Sequence, residues 1–215
     1  MSETVICWFK RDLRVADHPA LATAAGLGPV LPLYIVEPEL WRQPDASGRQ
    51  YGFLQDCLID LRAGLERLGL RLCLRVGDAV EVLDDLRARH AATILVSHEE
   101  TGNVWTFARD RKVADWARGQ GVAWHEVPQC GVVRRLATRD RWQSGRDGFM
   151  RAAPAEVPRA VRGVIAPSDP VPAPAALGLE DHCPQRQRGG RRLAEATLHS
   201  FLHERGQTYR RAMSS

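Results

Sequence analysis

Five short apolar runs, each followed by a stretch with helical spacing, constrain this chain more than any other feature of it. The runs are Val5–Lys10 (VICWFK), Val30–Val36 (VLPLYIV), Arg71–Val76, Thr93–Ser97 (TILVS) and Val122–Val127 (VAWHEV). Strands that are apolar on both faces need cover on both faces, and helical crossovers supply it, so the pattern predicts a parallel sheet. Right-handed crossovers then give a doubly wound, Rossmann-like α/β fold of five strands. The third run alternates Arg/Leu/Cys/Leu/Arg/Val, which places it nearer an edge.

Helix boundaries are written in the turns. Asp17 is expected to cap the first helix, with Pro19 in its first turn. Ser47 opens a long helix through Leu54, Cys57, Leu58, Leu61, Leu65 and Leu68 that stops at Gly69, Asp78 caps the next, and Asn103 opens one closed by Gly119 and Gly121. Beyond Pro128 the pattern changes. Residues 134–146 (RRLATRDRWQSGR) are basic without clear periodicity, and residues 154–174 hold six of the 13 prolines, an extended linker. After Gly189-Gly190 a last helix is expected over Arg191–Arg205. Its apolar stripe of Leu193, Ala196, Leu198, Phe201 and Leu202 needs a partner surface. The expected division is therefore 1–130, an α/β domain; 131–190, an irregular basic and proline-rich linker; and 191–215, the start of something further.

At 215 residues the chain has room for one full domain and part of another. Its longest apolar stretch is too short for a bilayer, and Met1-Ser2-Glu3 runs straight into a strand, so a cytoplasmic protein is expected. Cys7, Cys57, Cys73, Cys130 and Cys183 form no C-x-x-C pair, and the first three read as small core side chains of a reducing compartment. The net charge is +4, yet residues 1–150 carry 20 Lys and Arg against 20 Asp and Glu, and the excess lies beyond them. That distribution argues for local recognition of anions rather than for a whole-surface DNA clamp.

Cys7-Trp8-Phe9-Lys10-Arg11-Asp12-Leu13-Arg14, followed by Asp17-His18-Pro19-Ala20-Leu21, resembles the opening of DNA photolyases and cryptochromes. Phe107-Ala108-Arg109-Asp110 is similar to the arginine–aspartate step of that family's helix after strand four, and Gly206-x-x-Tyr209-Arg210-Arg211 to its entry into the FAD domain. The resemblance implies an N-terminal α/β domain that commonly holds an antenna pigment: a folate, a deazaflavin or a flavin nucleotide. It also implies a helical domain holding FAD, whose excited reduced form splits a pyrimidine dimer flipped from damaged DNA. On this comparison the chain is expected to be cut before that FAD-binding domain and to be inactive alone, with damaged DNA and the FAD-binding domain as partners. Of the flavin-contacting pattern only Tyr209 is present.

Ligands of open α/β sheets bind outside the strands' carboxyl ends, where the strand order reverses. Those ends are Lys10-Arg11-Asp12, Glu37-Pro38 and His98-Glu99-Glu100, and Arg49 adds a cation at a helix start. Acids mixed with bases suit a heterocycle with several hydrogen-bonding edges better than a bare phosphate. The candidate antenna residues are Phe9, Lys10, Arg11, Glu37, Arg49, Glu99 and Glu100, with Trp105 as a stacking surface. Against each stands a plainer role: Arg11, Asp12 and Arg14 pinning their own loop, Glu99 and Glu100 as solvated acids, Trp105 as core. Folate-binding relatives usually carry Asn-Glu just before the arginine–aspartate step. Trp105-Thr106 stands here, which favours a deazaflavin or flavin over folate.

Arg139, Arg141 and Trp142 are weaker candidates for DNA contact, set against a solvated loop docking on another domain. His199 and His203 are spaced i, i+4, but with no acidic third ligand in sight no metal site is expected. There is no G-x-G-x-x-G after the first strand and no Walker loop. Three functions stay open: the antenna domain of a light-driven deoxyribodipyrimidine photolyase, the same domain of a cryptochrome-type photoreceptor without repair activity, or a free-standing nucleotide-binding α/β domain.

Overall fold

The computed structural model describes residues 3–134, 136, 138–180 and 182–213. Arg135 of the basic segment, Met1-Ser2 and Ser214-Ser215 lie outside the described residues. The five runs are strands: β1 (Thr4–Phe9), β2 (Val30–Val36), β3 (Cys73–Val76), β4 (Ala92–His98) and β5 (Ala123–Val127). All pair in parallel, in the order β3-β2-β1-β4-β5. Between them run α1 (Pro19–Leu27), a short α2 (Pro38–Trp41), α3 (Gly48–Glu66), α4 (Ala79–His90) and α5 (Val104–Gln120).

Side-chain alternation sorts the two faces. Val5, Cys7 and Phe9 of β1 face one core with Leu21 of α1 and Leu58, Leu61 and Leu65 of α3. Ile6 and Trp8 face the other, with Leu83 and Leu86 of α4 and Val113 of α5. The chain leaves β1 outward through β2 and β3, then returns past β1 to build β4 and β5. The order reverses between β1 and β4, and that is where a crevice is expected.

Three caps follow the sequence: Asp78 accepts from the backbone N–H groups of Val80 and Glu81, Asn103 from that of Thr106, and Gly121 closes α5 at a φ of 67°. The first helix departs from expectation. Its N-cap is His18, whose ring accepts from the Leu21 N–H, while Asp17 stands one residue earlier at a φ of 48°. The Asp17 carboxylate instead accepts from the N–H of Ala155, tying the proline-rich linker to the domain.

β3 is an edge strand of four residues, and the linker covers it. Leu74 N–H donates to Ser168 Oγ at 3.0 Å, Asp169 N–H to Leu74 O at 2.7 Å, and Val76 N–H to Asp169 Oδ2 at 3.0 Å. Where β3 has not yet begun, Gly163 bridges Val30 instead. Pro32 has the parity of Val30, so its missing N–H faces this outer side and costs no bond to β1.

The basic segment is not wholly irregular, as its lack of periodicity suggested. A 3-10 turn, Arg139–Arg141, leads into α6 (Trp142–Arg151), which buries no residue. Residues 154–173 contain no helix. The last elements are α7 (Arg191–His203) and α8 (Tyr209–Met213), and α7 also buries nothing: Leu198 is 56% exposed and Leu202 64%.

Candidate functional site at the carboxyl rim of the sheet

Two buried polar networks meet at the reversal point. In the first, Asp12 is held at the end of β1 by the Lys10 N–H, 2.8 Å from Oδ1. Its Oδ2 faces His18 Nε2 at 2.8 Å and lies in close contact with His98 Nδ1. All three residues are nearly inaccessible to solvent. The backbone dictates the tautomers. His18 Nδ1 accepts from the Leu21 N–H (2.9 Å) and His98 Nε2 from the Ala20 N–H (3.3 Å), so each ring keeps its proton on the nitrogen facing Asp12. Burial alone would raise the Asp12 pKa. The hydrogen bonds from His18 and His98 outweigh it and hold this carboxyl far below the usual range, while burial keeps His18 below the ordinary histidine value.

Asp12, His18 and His98 have the spacing of metal ligands. Their hydrogen bonds oppose that use. A metal-bound histidine normally donates its second N–H, whereas here both second nitrogens are acceptors, so a metal would require two imidazolates. The cluster is a proton-ordered clamp joining the β1 end, the α1 start and the β4 end.

The second network centres on Arg109 of α5. Its guanidinium donates to Glu37, Glu100 and Asp110, and Asp110 also accepts from Lys10 Nζ at 3.2 Å. Arg109 Cζ lies 4.7 Å from the Trp8 ring centroid and 5.8 Å from that of Trp105, and Lys10 Nζ is 5.1 Å from Trp8 and 5.8 Å from Trp124. Three carboxyls face two cations, so one carboxyl is short of a full counter-charge. Burial, opposed by Arg109 but reinforced by Glu100, Asp110 and Asp78, pushes Glu37 up to about 7. Glu37 thus holds a proton more readily than an ordinary glutamate, and with it on could donate as well as accept.

The structure brings Lys10, Glu37, Glu100 and Trp105 together around Arg109. Glu99 sits aside, paired with Arg134 at 3.2 Å, which also binds Glu126 at 2.8 Å. Arg11 and Arg49 are exposed and outside the cluster. Phe9 is a correction: it is fully buried against the His18 ring, at 4.8 Å, because its parity on β1 turns it into the core. Loop pinning also works differently from expectation. Asp12 binds the two histidines, and Arg14 holds the Asp17 carbonyl. Arg139, Arg141 and Trp142 are exposed at the start of α6. Tyr209 is 48% exposed and meets Phe201 edge-on at 5.4 Å.

Arg109 and Asp110 belong to the sequence motif of α5 but lie outside the expected set of site residues. The available signal was their position on the inward stripe of α5, with Thr106, Val113 and Ala117: a charged pair on a buried face must have partners.

The family model for DNA photolyase matches residues 5–144. The chain belongs to the DNA photolyase family. It is 37% identical over 103 residues to a chloroplastic/mitochondrial cryptochrome DASH of Arabidopsis thaliana, covering 45% of this chain and 18% of that protein. It is 36% identical over 115 residues to a deoxyribodipyrimidine photo-lyase of Agrobacterium fabrum, covering 52% of this chain and 23% of that one. Among solved structures it is similar to a class III photolyase from Agrobacterium tumefaciens, with a TM-score of 0.65 and 27% identity over 80% of this chain and 37% of the other. The chain thus matches about a fifth of the length of these curated relatives. Its sheet, with helices on both faces, is the fold of a photolyase N-terminal domain. No described helix is long and apolar enough to cross a membrane.

Proposed function

We propose that this chain is the antenna-pigment-binding α/β domain of a light-driven, FAD-dependent deoxyribodipyrimidine photolyase that works in the cytoplasm on ultraviolet-induced dimers in DNA. One observation carries the reading: at the strand-order reversal, Arg109, Lys10, Glu37 and Glu100 stand between Trp8, Trp105 and Trp124. Aromatic faces beside paired donors and acceptors suit a planar heterocycle. A neutral Glu37 would offer a proton to a ring carbonyl, and an ionised Glu100 or Asp110 would accept from a ring N–H. The pigment would supply light absorption, and the protein's part is to hold it in a fixed orientation.

A deazaflavin or flavin suits these residues better than folate. Where folate-binding relatives have a glutamate, Thr106 stands, with both its N–H and its hydroxyl committed to Asn103, so no carboxylate projects there. FAD would be held in a separate helical domain, with Tyr209 the one contributor from these residues. In this reading residues 1–130 form the antenna unit, 131–190 the connection and 191–215 the approach to the FAD-binding domain. The exposed apolar face of α7 favours this over a free-standing nucleotide-binding domain.

The test is the full-length protein on irradiated DNA, in light and in darkness, with its absorption spectrum taken before chromatography strips any pigment. Light-dependent repair and a band beyond that of FAD support the proposal. Repair that proceeds equally in the dark contradicts it. A second reading, a cryptochrome-type receptor without repair activity, is favoured by the 37% identity to a cryptochrome DASH and predicts bound flavin with no repair. The 215 residues alone, given FAD, are expected to split no dimers.

A further inference from the structure

Away from the rim, arginines gather around a pair of hollows. The first, of about 220 Å3, lies between Arg14 of the β1–α1 loop, Asp60 and Arg67 at the end of α3, and Arg191, Arg192 and Glu195 at the start of α7. The second, of about 650 Å3, meets it at Arg67 and is lined on its far side by Glu156 and Arg159 of the linker.

The acids of the first hollow are already engaged. Asp60 Oδ2 accepts the backbone N–H of Arg191 at 2.9 Å, and Glu195 pairs with Arg191 Nε at 2.7 Å. Arg14 donates Nε and Nη2 to the Asp17 carbonyl, at 3.0 and 2.7 Å, a neutral partner that leaves its charge uncompensated. Among the described residues, Arg14, Arg67, Arg159 and Arg192 form no ion pair with any carboxylate. Asp60 sits on the α7 N-terminus, where Gly190 supplies no side-chain cap, so this carboxylate offsets the helix end rather than the arginines. Across the two hollows five arginines stand against Asp60, Glu195 and Glu156, an excess of positive charge, and planar guanidinium forks match phosphate oxygens two at a time.

We propose that these joined hollows bind a phosphate-bearing polyanion, with Arg67 shared between two phosphates. The arrangement shares no residue with the rim cluster and does not depend on a pigment being bound there. A nucleic-acid strand and a free polyphosphate carry the same chemistry, and the test separates them.

The 215-residue chain would be titrated, by fluorescence anisotropy, into a short labelled single-stranded oligonucleotide, with inorganic tripolyphosphate as competitor. The comparison is with the double variant Arg67→Gln/Arg192→Gln and with Arg111→Gln/Lys112→Gln, two exposed cations of α5, as a control. The first variant is expected to bind about tenfold or more weakly, and its log K against log salt slope is expected to flatten by roughly 1.4, about 0.7 for each lost charge on a single strand. The control should bind as the unaltered chain does. Displacement by tripolyphosphate at matched phosphate concentration identifies a free polyphosphate as the ligand, and a strand that resists it identifies nucleic acid. Thermal melts should coincide for all three proteins, since the changes lie on exposed side chains. Equal binding by the unaltered chain and Arg67→Gln/Arg192→Gln, or a loss confined to the Arg111→Gln/Lys112→Gln control, would overturn the proposal.

Discussion

Replacing Glu37 by glutamine tests the rim network through its pH dependence. Burial holds the Glu37 proton up to about 7, against 4.5 for an ordinary glutamate. Within that window the folded chain binds a proton that the unfolded chain has released. Its contribution to stability is therefore complete below about 4.5 and is lost as pH rises towards 7. Two and a half units at about 1.4 kcal/mol each amount to a loss of about 3 kcal/mol. Glutamine copies the protonated form and cannot ionise, so Glu37→Gln should abolish this fall. His18 acts in the opposite sense. Its folded value is depressed, so stability is gained as pH rises through the ordinary histidine value near 6.5. In the unaltered chain the two trends oppose each other, and in Glu37→Gln the rising one is uncovered. Urea denaturation between pH 5 and pH 8 reads both. The expected result is an unaltered chain whose stability changes little or falls over that range, and a variant whose stability rises. Parallel profiles for the two would refute the assignment of the extra proton to Glu37.

Other expectations follow from the same contacts. Arg109→Met leaves Glu37, Glu100 and Asp110 facing Lys10 alone, so it should cost about 3–5 kcal/mol in chemical denaturation, with Arg109→Lys recovering only part because one ammonium cannot bridge three carboxyls. Asp12→Asn removes the charge that orders His18 and His98. A similar loss of about 3 kcal/mol is expected, together with faster hydrogen exchange at Ala20 and Leu21, whose N–H groups the two rings hold. Leu198→Lys and Leu202→Lys on the outward stripe of α7 should change the stability of the 215-residue chain by about 0.5 kcal/mol or less, measured by the same denaturation.

Much of the fold was legible because the strand runs are apolar on both faces, and only a covered parallel sheet meets that requirement. Asp78 and Asn103 were readable as caps because a short polar side chain before an apolar stripe has one common use. Asp17 misled for the same reason: it has a cap's chemistry, but the histidine after it is held by Asp12 and packed on the ring of His98, 80 residues further on, a tertiary constraint invisible to local spacing. The edge position of β3 was visible in its alternating arginines. Its cover by Ser168 and Asp169 was not, since nothing local in a proline-rich stretch says which strand it will accompany. In the site, the strand ends put forward Lys10, Glu37 and Glu100, and the structure gathers these three about Arg109 and Asp110. Phe9 was misplaced by one step of parity, and Arg109 was overlooked because a helix-borne charge is usually solvated.

The most direct test of the account is a fluorescence titration of this chain with a deazaflavin and with a flavin mononucleotide. Trp8, Trp105 and Trp124 surround the proposed seat, so a pigment held there should quench their emission saturably and gain sensitised emission of its own, and Trp105→Ala should weaken binding. Tryptophan emission that falls only in proportion to added pigment, without saturation and unchanged by Trp105→Ala, would contradict a pigment site at the carboxyl rim.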